Sequence, residues 1–175
     1  METDIGRWER TTREPPSWDE RNRVIAAFIP DGASVLDVGA GHGTLRSYLA
    51  PGCTYQPMDC VPGTPQTILV EFNKGQIPAL GRTYDVVVCS GILEYIDDPA
   101  GFLRTVSGWG ERVLISYVTL ESQPDIARRR VNGWFNDLTR TELERLFATL
   151  GLDARQIAEW GGQAIYAITR APCAS

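Results

Sequence analysis

Histidine occurs once in these 175 residues, at His42, and methionine only twice. The four cysteines, Cys53, Cys60, Cys89 and Cys173, are spread without a close pair. That scarcity excludes zinc-ligand spacings and a disulfide scaffold, and no metal site is expected. No run approaches the roughly 20 apolar residues of a membrane-spanning helix. The N-terminus, Met1-Glu2-Thr3-Asp4, lacks the basic start and apolar core of a secretory leader, so a soluble, cytoplasmic protein is expected. With a net charge of −5 the chain has no basic field for a polyphosphate backbone, which argues against nucleic acid as the main substrate. Repeats and low-complexity tracts are also missing. What is present, 43% hydrophobic residues over this length, is enough for one domain over residues 1–175 and not comfortably for two. The polar, proline-broken opening, residues 1–17, reads as a flexible or lid-forming segment.

Strand and helix signals alternate for nearly the whole length. This predicts an α/β, Rossmann-like doubly wound sheet of seven strands, a three-layer sandwich that is mostly parallel and closed by an antiparallel hairpin. A lead-in helix capped by Ser17 runs through Trp18, Val24, Ile25 and Phe28 to the Pro30-Asp31-Gly32 break. Strands are predicted at 34–38, 53–58, 67–72, 84–90 and 112–118. The first is followed by a helix containing Leu45, Tyr48 and Leu49, and another helix covers about 99–109. Cys60-Val-Pro-Gly-Thr-Pro65 holds two prolines and a glycine, so a loop is expected there instead of a helix. Leu138 to Leu150 has helical leucine spacing, a Thr139 cap and a Gly151 stop. The last two strands, 154–159 and 163–169, meet at Gly161-Gly162, a hairpin signal.

Gly39, Gly41 and Gly43, with Ala40 and His42 between them, form a turn from a buried strand that lets backbone approach a ligand closely. Such a turn alone is a weak signal. Asp37 precedes it by two residues, and Asp59 falls where the next parallel strand ends, a place from which a carboxylate can accept both ribose hydroxyls. A dinucleotide-binding turn would need glycine where Thr44 stands. An acid inside the first strand also suits a ligand with an amino group better than a pyrophosphate.

These residues, with Val70-Glu-Phe-Asn73 and Tyr84-Asp-Val-Val-Val-Cys-Ser-Gly-Ile-Leu-Glu-Tyr-Ile-Asp-Asp-Pro99, resemble the small-molecule branch of the class I S-adenosylmethionine-dependent methyltransferases. The likeness is specific from Ser34 to Pro99 and weaker over most of the rest. It implies that the chain transfers a methyl group from S-adenosylmethionine to a small-molecule acceptor, at oxygen or nitrogen. Asp37 and the turn would hold the methionine end, Asp59 the ribose, and Cys60 would lie beside the adenine. Glu71 and Phe72 would meet the adenine amino group and ring, and Ser90 and Gly91 would line the sulfonium with backbone carbonyls.

Two departures stand out. Glu71 replaces the family's usual aspartate, and the helix between the second and third strands is nearly missing. A catalytically inactive module that binds S-adenosylmethionine or a partner is therefore the alternative reading. Some relatives carry Glu-x-x-Glu-His after the fourth strand, and here only Glu94 of those three is present, so a metal-independent enzyme is expected. Because the sulfonium is already electrophilic, no catalytic side chain is obligatory. Tyr95 and Tyr117 are the candidates to orient or deprotonate an acceptor, or else they fill the cleft wall. Trp8 and Trp18 could form a lid or a hydrophobic anchor. Arg128-Arg129-Arg130 reads either as a solvated helix face or as a docking site for an anionic acceptor.

Overall fold

The computed structural model describes residues 3–10 and 16–171. Seven strands form one sheet: β1 (Ser34–Val38), β2 (Thr54–Asp59), β3 (Ile68–Leu69), β4 (Tyr84–Ser90), β5 (Gly110–Val118), β6 (Leu152–Trp160) and β7 (Gln163–Arg170). They lie side by side as β3-β2-β1-β4-β5-β7-β6. The first five pair in parallel, and β7 runs antiparallel between β5 and β6. The chain therefore steps outward from β1 to β3 and then returns to lay β4 on the other side of β1. That reversal opens a crevice beyond the carboxyl ends of β1 and β4, where open α/β sheets bind ligands.

Side chains on a strand alternate between the two faces of the sheet, and both faces here are covered. On one face Leu36, Val38, Val87, Cys89, Val113, Ile115 and Tyr117 are buried with α3 (Pro99–Val106) and α5 (Arg140–Thr149). On the other, Val35, Val86, Val88 and Leu114 meet Ile25 of α2 (Pro16–Ala26) and Leu45. Each wholly buried Leu, Ile or Val in these layers contributes roughly 1.5–3 kcal/mol relative to exposure. Capping follows the sequence closely in α3 and α5. Asp98 accepts the Gly101 N–H, and Thr139 and Glu142 form a reciprocal capping box. The cap on α5 is worth about 1 kcal/mol.

Several elements differ from expectation. The lead-in helix begins at Pro16, so Ser17 lies inside the first turn and is not the cap. The helix after the glycine turn is a single stretch of 3-10 helix, Thr44–Tyr48, because Pro51-Gly52 leaves no length for more. The third strand shrinks to two residues and gives way to a 3-10 turn at Phe72–Lys74. A short helix, α1 (Ile5–Arg10), stands within the segment read as a lid. Cys173 lies outside the described residues.

The arginine run forms most of α4 (Ile126–Val131) and is neither a uniform solvated face nor an open docking site. Arg129 is wholly buried. It donates to the Val118 and Asn136 carbonyls and pairs with Asp137 at 2.7 Å. Arg130 pairs with the same carboxylate from the surface. One of the three arginines thus staples α4 to the end of β5.

Candidate active site

A cavity of about 540 Å³ opens at the crevice. Its floor is the glycine turn. Gly39, Gly41 and Gly43 all have positive φ, and a Cβ on Gly39 would lie 2.9 Å from Ile92 Cβ. The turn is drawn toward β2 by three hydrogen bonds. The Met58 carbonyl accepts from the Gly39 and Ala40 amides, and Asp59 Oδ2 accepts the Gly41 N–H at 2.8 Å. Asp59 Oδ1 accepts from the Val61 N–H at 3.2 Å, so one carboxylate fixes both the turn and the start of the following loop.

That loop is the expected substitute for a missing helix, and it lies directly against the turn. A Cβ on Gly63 would come within 2.7 Å of the Gly41 carbonyl carbon and 3.3 Å of His42 Cα, with the Gly41 oxygen nearer still. Val61, Pro62 and Gly63 consequently form cavity wall. Cys60 is on the same wall, and burial followed by the neighbouring Asp59 charge pushes its thiol up to about 12. It is an unreactive thiol at neutral pH.

Glu71 and Phe72 continue this end of the cavity. Lys74 Nζ lies 3.0 Å from Glu71 Oε1, whereas Oε2 is buried with no hydrogen-bond partner among the described residues. A buried acceptor left unmatched costs free energy. Phe72 packs edge-on to Phe102 at 5.0 Å, which fixes its ring.

At the other end, Ser90 closes β4 and Gly91 follows it. The Ser90 hydroxyl donates to Asn22 Oδ1 at 2.9 Å, and the Ser90 carbonyl accepts from Arg21 Nη2 at 3.1 Å. A Cβ on Gly91 would lie 2.9 Å from the Arg21 guanidinium carbon. Arg21 had no signal in the sequence, because an arginine on a surface-like helix reads as solvated. Here it is almost wholly buried and belongs to the wall.

Tyr95 is also on the wall. Trp8 meets it edge-on at 4.9 Å, and burial raises its phenol above the ordinary tyrosine range despite the hydrogen bond with Trp134. Asn73 donates to the Tyr95 carbonyl and to Thr3, joining the two ends of the cavity rim.

Three of the sequence-predicted positions lie behind the wall. Asp37 is buried beneath the turn and accepts the Tyr55 hydroxyl at 2.7 Å, so it shapes the floor from below. Ala40 and Gly43 hold the turn's path without facing the cavity. Tyr117 corrects an expectation outright. Its side chain points to the α3 and α5 face, is fully buried, and hydrogen-bonds Asn136, the Leu138 N–H and Arg129. Burial raises its phenol as well, and it does not reach the cavity.

Glu94 accepts the Val118 N–H at 2.8 Å. Burial raises its carboxyl above the ordinary range. Among the described residues, no three His, Cys, Asp or Glu side chains gather as a metal-binding group, and no helix is long and apolar enough to cross a membrane.

The strand order, the glycine turn between β1 and β2, and an acid at the end of β2 define a methyltransferase fold. The chain belongs to the methyltransferase domain family, whose sequence model matches residues 8–157. Solved structures similar to it include CalO1, a methyltransferase of calicheamicin biosynthesis, at 21% identity and a TM-score of 0.67. That likeness covers 89% of this chain and 54% of CalO1. A Haloferax volcanii methyltransferase in complex with the activator Trm112 matches at 15% identity and a TM-score of 0.73, with 95% of each chain covered. NcsB1, an O-methyltransferase of neocarzinostatin biosynthesis in complex with S-adenosylmethionine and 2-hydroxy-5-methyl naphthoic acid, matches at 18% identity and a TM-score of 0.63. Of NcsB1 56% is covered, and of this chain 95%, so the chain spans little more than half the length of two of these three relatives. No curated protein matches the chain significantly by sequence.

Proposed function

We propose that this methyltransferase uses S-adenosylmethionine to methylate a small-molecule acceptor at oxygen, without a metal. The observation that carries the cofactor assignment is the single cavity whose wall brings together the glycine turn, Asp59 and Glu71. When bound, the cofactor supplies an electrophilic methyl group on a sulfonium that needs only alignment with a nucleophile.

The chain's own residues divide the remaining work. Asp59 is placed to accept ribose hydroxyls while keeping the Gly41 amide bonded. Glu71 would hold the adenine amino group, Phe72 and Cys60 would pack about the ring, and Ser90 with Gly91 would line the methyl side. Tyr95 orients the acceptor as a hydrogen-bond donor, and the acceptor's proton passes to solvent water. Asp37 acts through the turn it supports. Glu94 is committed to Val118, which leaves the run after β4 without a ligand set for a hard cation.

A net charge of −5 favours a small acceptor over nucleic acid. The likeness to NcsB1 and to the mitomycin 7-O-methyltransferase MmcR, both O-methyltransferases, favours oxygen. Release of S-adenosylhomocysteine against a panel of hydroxylated and amino metabolites, with chelator present, tests the reading. Turnover only with hydroxylated acceptors, undiminished by chelator, is expected. Turnover confined to amines, or abolished by chelator and restored by a divalent cation, would overturn it.

A further inference from the structure

Along α2, Arg21, Asn22 and Ile25 follow Trp18 at helical spacing, so one stripe of this helix is turned to the protein. Trp18 and Arg21 reach the cavity wall, and Ile25 is buried against β1 and β4. Asn22 lies between them, almost wholly buried, and does not reach the cavity. Burying an amide is costly unless its donor and acceptor sides are both used. Here both are. Asn22 Nδ2 donates to Thr44 Oγ1 at 3.0 Å, and Asn22 Oδ1 accepts the Ser90 hydroxyl at 2.9 Å.

The two hydroxyls belong to opposite lips of the crevice. Thr44 opens the 3-10 helix that leaves the glycine turn, and Ser90 closes β4. The residue before that helix is Gly43, which has no side chain to fix its start, so Asn22 supplies a side-chain bond there from another element. Thr44 is also the residue that stands where a dinucleotide turn needs glycine, and its hydroxyl gives it this partner. Ser90 is held twice from α2, its hydroxyl by Asn22 and its carbonyl by Arg21 Nη2. The Asp59 side of the cavity has separate supports. The Met58 carbonyl and the Asp59 carboxylate hold Gly39, Ala40 and Gly41 without help from α2.

We infer that Asn22 is a positioning residue for the methionine end of the cofactor. It fixes the gap between the exit of the glycine turn and Ser90-Gly91, and it acts through Thr44 and Ser90 without lining the cavity itself. This inference rests on the methyl-transfer reading, in which adenosine lies at Asp59 and Glu71 and the methionine arm is left to that gap.

Calorimetric titration with S-adenosylhomocysteine and with 5′-methylthioadenosine, which keeps the adenosine and sulfur but lacks the aminocarboxypropyl arm, tests it. Asn22→Leu, similar in size, removes both bonds. It should raise Kd for S-adenosylhomocysteine about tenfold and leave Kd for 5′-methylthioadenosine within about twofold. A residue that merely stabilises the fold would move both ligands equally or neither, and either result in folded Asn22→Leu would overturn the inference. Thr44→Val and Ser90→Ala should each reproduce part of the selective loss. With those two changes already in place, adding Asn22→Leu should cost less than about twofold in S-adenosylhomocysteine affinity, since its partners are gone. A full tenfold loss in that background would show that Asn22 acts by another route and would also overturn the inference. Should Asn22→Leu fail to fold, Thr44→Val and Ser90→Ala decide, and the absence of selective loss in both would overturn it. Failure of S-adenosylhomocysteine to bind the unaltered chain would instead overturn the methyl-transfer reading and this inference with it.

Discussion

Alanine at Gly63 should damage cofactor binding although residue 63 carries no charge and its φ is not positive. Because alanine can adopt that backbone, the cost of Gly63→Ala is steric alone. The added Cβ would start 2.7 Å from the Gly41 carbonyl carbon and must reach an ordinary 3.4 Å or more, with the carbonyl oxygen demanding a larger retreat. Neither partner yields easily. Gly41 is held by Asp59 through its amide, and Val61 ties the other end of the loop to the same carboxylate. Overpacking of this kind costs about 1–3 kcal/mol. In the free protein the loop can relax by swinging off the turn, and binding then has to draw it back, so the cost falls on Kd. A tenfold to hundredfold rise in Kd for S-adenosylhomocysteine corresponds to about 1.4–2.8 kcal/mol. Calorimetry on Gly63→Ala, with Gly81→Ala beside it, provides the assay. Gly81 has φ +66° and open space around it, so its alanine should lower Tm and leave Kd alone. Unchanged Kd and unchanged Tm in Gly63→Ala would refute the claim that the loop is seated on the glycine turn.

Other variants test other joints of the account. Asp59→Ala should weaken S-adenosylhomocysteine binding by about 1–3 kcal/mol, since it removes a ribose acceptor and frees the Gly41 amide, and calorimetry reads it directly. Arg129→Ala should destabilise the fold by about 2–5 kcal/mol by opening a cavity and taking the donor from the Val118 and Asn136 carbonyls, whereas Arg128→Ala should stay within about 0.5 kcal/mol; urea unfolding of the two compares them. Glu94 has a folded pKa raised above its unfolded value by burial, so its effect on stability is least below the unfolded pKa and becomes a growing penalty as pH rises through the folded one. Glu94→Gln, which keeps an acceptor for the Val118 N–H, should therefore gain stability relative to the parent as pH is raised from 4 toward 7, about the interval above the ordinary glutamate range, when Tm is followed against pH.

Much of the fold and part of the site are legible in the sequence. Tyr84–Ser90 is apolar and β-rich enough that only a central strand accommodates it, and Thr139 with Glu142 encodes its own helix start. Asp59, Cys60, Glu71, Phe72, Ser90 and Gly91 were placed by spacing and by resemblance, and all line the cavity. What failed to show were features set by partners distant in sequence. Asp37 is turned into the floor by the Tyr55 hydroxyl, a residue that reads as plain strand. Tyr117 ends β5 at the ligand-binding edge, but strand alternation puts its side chain on the face buried under α3 and α5. Arg21 and Arg129 look like surface charge until Ser90 and Asp137 are found beside them. Short helices such as α1 and the 3-10 turn after Gly43 have too little periodicity to be read from the sequence.

The most direct test of the central claim is titration of the unaltered chain with S-adenosylhomocysteine, with NAD in a parallel cell. Saturable binding of S-adenosylhomocysteine at one site per chain, with no heat from NAD, is the predicted result. Heat from NAD and none from S-adenosylhomocysteine would contradict the cofactor assignment and everything built upon it.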